Sequence, residues 1–79
     1  MAPRVVIYTS EGCTLCERAL EVVREVQAVV ELDLEVVDIA GDEELERRYR
    51  EQLPVVEVDG ERVFVHFVDQ EALRERLLR

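Results

Sequence analysis

The chain has 79 residues, 19 of them acidic and ten basic, for a formal net charge of −9 at pH 7. That length holds one domain, residues 1–79, with a modest core, and its two cysteines are too few and too close in sequence to brace it. So acidic a chain repels phosphate backbones, and nucleic acid is not expected as a partner. Met1-Ala2-Pro3-Arg4, followed by four apolar residues, offers neither a signal-peptide core nor a membrane span. The resulting expectations are no membrane partner and a cytoplasmic, reducing address. In such a compartment a close cysteine pair is more often catalytic or metal-binding than a permanent bridge.

In chain order, Val5-Val6-Ile7-Tyr8 is a continuous β-branched run of the kind buried on both faces of a sheet. Thr9 to Gly12 is turn-like. From Cys13, the residues Leu15, Ala19, Val22, Val23, Val26 and Val30 recur at helical spacing, with Glu17, Arg18, Glu21, Arg24 and Glu25 between them. This predicts an amphipathic helix with those apolar residues facing inward. Leu34 to Ile39 reads as a second strand, so that strand, helix and strand form a right-handed βαβ unit.

Gly41 and Asp42 open a second helix, where Glu43 and Arg47, Glu44 and Arg48, and Glu46 and Arg50 stand four apart with the acid first. That charge run predicts a solvated face. Pro54 closes the region, since it lacks an N–H and restricts Leu53. Val55–Val58 and Arg62–Phe67 flank Asp59-Gly60, a strong hairpin signal. Asp69 caps a last helix with Ala72, Leu73 and Leu77 inward. The predicted order is β-α-β-α-β-β-α, an α/β fold.

The chemistry lies in Cys13 and Cys16. Cysteines three apart in a first helical turn bring their Cα atoms to roughly 5–6 Å, so a disulfide closes without distortion. Unpaired N–H groups and the helix dipole favour a thiolate on the N-terminal sulfur. Cys13 is therefore the expected attacking thiol and Cys16 the resolving one, a cycle that needs no cofactor. Glu11 and Glu17 disfavour the thiolate and Arg18 offsets them if it reaches back, so a moderate lowering of the Cys13 pKa is expected.

Two other readings stand beside this one. A soft-metal site has His66 as its only further soft ligand, which falls short of four, so no metal is expected. The other is inert packing, because small buried cysteines are common.

Taken together, Tyr8-Thr9-Ser10-Glu11-Gly12-Cys13-Thr14-Leu15-Cys16, Leu53-Pro54-Val55 and Asp59-Gly60 resemble the thioredoxin fold in its compact, glutaredoxin-like form, over essentially the whole chain. The resemblance implies a four-stranded mixed sheet in the order β2-β1-β3-β4, with the first and last helices on one face and the second on the other. It also implies a cis Leu53-Pro54 bond beside the dithiol. Gly12, Thr14, Leu15, Leu53 and Pro54 would then align a protein or low-molecular-weight disulfide substrate. Glutathione or a thioredoxin reductase would be the electron donor, and the protein would act as a monomer.

The chain departs from typical glutaredoxins at several positions. Thr14-Leu15 replaces a Pro-aromatic spacer, Glu11 stands two before Cys13 where the family has a basic residue near its first cysteine, Gln52 replaces a Thr, and Val65-His66-Phe67-Val68 replaces a Gly-rich turn. Asp69 is placed where an acid could meet the glutathione amine, although capping its own helix is the stronger expectation.

Tyr8, Phe64 and Phe67 are expected to pack between sheet and helices, Tyr49 to sit at a partly exposed core edge, and His66 to occupy an ordinary strand position. Glu17 is a candidate proton relay through water, with exposed helical Glu as the default. The sequence supports a thiol–disulfide oxidoreductase first. A non-enzymatic binding module on the same fold comes second and a soft-metal carrier third.

Overall fold

A computed structural model describes residues 2–79. The elements are β1 (Arg4–Thr9), α1 (Thr14–Gln27), β2 (Asp33–Asp38), α2 (Glu43–Tyr49), a 3-10 turn (Arg50–Gln52), β3 (Val55–Val58), β4 (Glu61–Val65) and α3 (Gln70–Leu77). The sheet runs β2-β1-β3-β4, with β1 parallel to β2 and antiparallel to β3, and β3 antiparallel to β4. This is the mixed sheet that the resemblance implies.

Alternation along β1 divides the core into two. Val5 and Ile7 are fully buried in the larger cluster, with Ala19, Val23 and Val26 of α1 and Leu73 and Leu77 of α3. Tyr8 points the other way and packs on the smaller cluster of Ile39, Tyr49 and Val55. Successive side chains of a strand face opposite sides, so α1 and α3 cover one face of the sheet and α2 covers part of the other.

Each helix begins at a cap. Asp42 accepts from the Leu45 N–H at 3.1 Å. Asp69 accepts from Glu71 at 3.0 Å and Ala72 at 3.1 Å, two donors that the first turn cannot satisfy internally. The hairpin turn has positive φ at both central residues, 50° at Asp59 and 85° at Gly60, which is why Asp-Gly stands there. Asp59 also ties the hairpin to β1: its carboxylate accepts from the Arg4 N–H at 2.9 Å while its own N–H donates to the Arg4 carbonyl at 2.8 Å. In the β3–β4 register Val56 faces Phe64 and Glu57 faces Arg62, leaving Val63 as a bulge. Val63 and Phe64 consequently both pack on the larger cluster.

Several expectations are corrected. Helix α1 stops at Gln27, leaving Val29 69% exposed, because the β-branched Val29-Val30 pair lies in the turn that leads back to β2. Leu15, in the first turn of α1, is 49% exposed, and Ala72 is exposed because it lies about 100° around α3 from Leu73, off the face that Leu73 and Leu77 bury. Strand β4 ends at Val65 because His66 adopts φ 76°, which leaves it outside the strand and turns Phe67 outward to 68% exposure.

Tyr49 is buried, not at an exposed edge. The end of α2 lays it on Tyr8 with ring centroids 4.3 Å apart. Of the predicted charge pairs on α2, only Glu46–Arg50 closes, at 3.3 Å, and Arg48 instead lies 5.5 Å from the centre of the Tyr49 ring.

Leu73, fully buried between helix and sheet, is expected to cost about 2–5 kcal/mol of unfolding free energy when changed to Ala. The same change at exposed Leu78 should alter it by less than about 0.5 kcal/mol. Urea titration of the two variants compares them directly.

Candidate redox site

The turn between β1 and α1 carries the dithiol. Gly12 has φ 80°, a conformation that costs a glycine little, and the chain folds back so that the Cys13 N–H donates to the Ser10 carbonyl at 3.2 Å. Cys13 is the N-cap of α1, one position earlier than a first-turn residue. Its sulfur takes the place that a Ser or Asp oxygen usually fills, accepting from the Cys16 N–H at 3.2 Å. The two cysteines are joined as a disulfide with Cα atoms 5.2 Å apart.

Access to the two sulfurs differs. Cys16 is 3% exposed and faces the interior, whereas Cys13 is half-buried. Both line an open depression of about 240 Å³, with Thr9, Ser10, Glu11, Gly12, Glu17 and Leu20 around them. Its only charged residues are Glu11 and Glu17. Arg18 is exposed and, among the described residues, forms no ion pair with either.

The Leu53-Pro54 bond is cis. Tyr8 pairs with Val55, which sets Pro54 beside Thr9 at the root of the dithiol turn. Pro54 is buried, while Leu53 is half-buried against the smaller cluster. Thr14 and Leu15 are exposed on the outside of the turn and, with Leu53 and Pro54, do not line the depression that holds Gly12, Cys13 and Cys16.

His66 has a place that its sequence context does not reveal. Its N–H donates to the Pro54 carbonyl at 2.9 Å, and its ring Nε2 lies 3.0 Å from the Glu51 carbonyl oxygen. It thus grips the chain on both sides of Leu53. Only its positive φ marks it out, and a sequence does not display φ. His66 is not gathered with the cysteines: among the described residues no group of three or more His, Cys, Asp or Glu is placed to hold a metal ion. Asp69 spends its Oδ1 on its own helix.

Behind the site, Tyr49 donates to Glu57 Oε2 at 3.4 Å. Burial, then the Glu57 carboxylate and Tyr49, push the Tyr8 phenol up from 10.0 to about 12.

A family model described as Glutaredoxin-like domain (DUF836) matches residues 4–78. The uncharacterized protein Rv0508 of Mycobacterium tuberculosis is 29% identical over 82 residues, covering 98% of this chain and 84% of its own length. Among solved structures, protein Ne2328 of Nitrosomonas europaea superposes with a TM-score of 0.82 at 30% identity, covering 98% of this chain and 93% of that one. Protein XcR50 of X. campestris does so with 0.76 at 27%, covering 92% and 93%. A malaria-parasite thioredoxin-2, at 0.75 and 19% identity over 98% of this chain and 82% of that one, shares the fold.

The Tyr8 proton is held more tightly in the folded state than in the unfolded chain. Its stabilising contribution is therefore complete below pH 10.0 and is lost as pH rises through about 12. Denaturant midpoints measured across that window should fall more steeply for the native chain than for Tyr8→Phe.

Proposed function

Because the chain belongs to the glutaredoxin-like domain family, we propose that it is a thiol–disulfide oxidoreductase in which Cys13 attacks and Cys16 resolves. The observation that carries this reading is the asymmetry of the pair: an accessible sulfur at a helix N-cap, and a buried one a turn deeper. In the reduced protein the Cys16 N–H and the first-turn dipole would favour negative charge on Cys13.

Cys13 thiolate attacks one sulfur of a substrate disulfide, that S–S bond breaks, and the leaving sulfur takes up a proton. Cys16 then loses its proton and attacks Cys13 Sγ. The mixed disulfide breaks, the second substrate thiol is released, and the Cys13–Cys16 disulfide forms. Two electrons have passed to the substrate without a cofactor. Reduction of that disulfide by glutathione or through a thioredoxin reductase would close the cycle, and a reducing cytoplasmic setting suits it.

Gly12, Thr14, Leu15, Leu53 and Pro54 are the groups proposed to align the substrate, with one chain sufficing for the cycle. A fold kept only for binding would have no need of an open Cys13. Its position at the rim of a depression favours the redox reading over that one.

Cys13→Ser is expected to lower disulfide reductase activity by at least about a thousand-fold, and Cys16→Ser to accumulate the mixed disulfide, visible by mass spectrometry. In the reduced protein, iodoacetamide should modify Cys13 before Cys16 at every pH. Equal reactivity of the two, or full activity in Cys13→Ser, would sink the assignment.

A further inference from the structure

Leu15 and Phe67 are among the large apolar side chains left open to solvent, 49% and 68% exposed. Both belong to the dithiol end of the sheet. Leu15 lies between the two cysteines, and Phe67 stands two residues past Val65, whose sheet partner Val55 adjoins Pro54. The His66 grip on the Glu51 and Pro54 carbonyls makes the turn carrying Leu53-Pro54 and the segment presenting Phe67 one unit. This end therefore offers two apolar contacts on fixed backbone. The depression around Cys13 adds charge of one sign, from Glu11 and Glu17.

We propose that this end docks an extended polypeptide segment that carries basic side chains around a disulfide-bonded cysteine and an apolar residue beside it, and that it selects against small anionic disulfides. The proposal rests on the oxidoreductase reading and names its substrate class. Charge complementarity identifies the partner: two glutamates at the reacting sulfur, on a chain of net charge −9, attract a basic segment. They repel oxidised glutathione, whose carboxylates outnumber its ammonium groups. A second copy of the chain, equally acidic, is disfavoured for the same reason.

The chemistry balances as before. Cys13 Sγ bonds to the partner cysteine, the partner's S–S bond breaks, and its other sulfur is released as a thiol. Cys16 then gives up its proton and displaces the partner cysteine, leaving the partner reduced by two electrons and the dithiol oxidised.

The test uses the full reduced chain and four disulfides: two synthetic peptide disulfides identical except for Lys or Glu flanking the cysteine, both with one Leu; oxidised glutathione; and neutral 2-hydroxyethyl disulfide. At low salt the Lys peptide should exceed the Glu peptide and oxidised glutathione in kcat/KM by about ten-fold, with the gap closing at high salt as the charges are screened. The Glu11→Gln/Glu17→Gln variant should lose most of that ratio. Phe67→Ala should lower kcat/KM for the Lys peptide by about five-fold through lost apolar contact, sparing 2-hydroxyethyl disulfide.

If 2-hydroxyethyl disulfide is reduced but oxidised glutathione matches the Lys peptide, or the ratio survives in the double variant, the docking proposal falls and the oxidoreductase reading stands. If none of the four is reduced, both fall.

Discussion

The register of β1 against β3 is the constraint on which the rest depends. Pairing Tyr8 with Val55 sets the exit of β1, where the dithiol turn begins, beside the cis Leu53-Pro54 segment that enters β3. A slip of one residue would exchange the two faces of β1, sending Val5 and Ile7 away from α1 and α3 and Tyr8 into them. Burial of those side chains and the position of the dithiol are thus one constraint. The reciprocal bonds between Arg4 and Asp59 hold the same register from the far end of the strand.

Within the dithiol turn, chain direction sets the two cysteines apart. A helix that starts at Thr14 leaves its first N–H groups unpaired, and the Cys13 sulfur sits where such groups seek an acceptor. Packing of α1 on the sheet draws Cys16 inward at the same time. The same helix end thus leaves Cys13 half-buried at its cap and Cys16 buried a turn deeper. Around the two cysteines the depression is lined by Thr9, Ser10, Gly12 and Leu20 together with the two glutamates, Glu11 and Glu17.

Element order was legible in the sequence, because the signals were local and mutually consistent: apolar runs for strands, helical spacing for α1, Asp-Gly for the hairpin, and Asp42 and Asp69 for caps; the sheet order followed only from the resemblance that the cysteine motif and Leu53-Pro54 carry. Cys13 and Cys16 were legible for the same reason. What escaped depends on where one element ends relative to another. Helical spacing places Leu15 on the apolar side of α1 but carries no record of where the sheet stops. Phe67 reads as a continuation of β4 until His66 takes a positive φ, and nothing in Val-His-Phe-Val displays that turn. Tyr49 looked like an edge residue because its partner, Tyr8, lies 41 positions away in sequence. The His66 contacts with Glu51 and Pro54 are tertiary in the same sense.

The two outer strands have a consequence for traffic at the protein surface. An unpaired strand edge is a standing invitation to any extended chain. Here β2 meets such a visitor with Asp33, Glu35 and Asp38, and β4 is bent by the extra residue at Val63. Neither margin offers a flat, neutral rail for backbone pairing. A passing unfolded segment gains little by lingering there, so neither margin of the sheet serves as a template for aggregation.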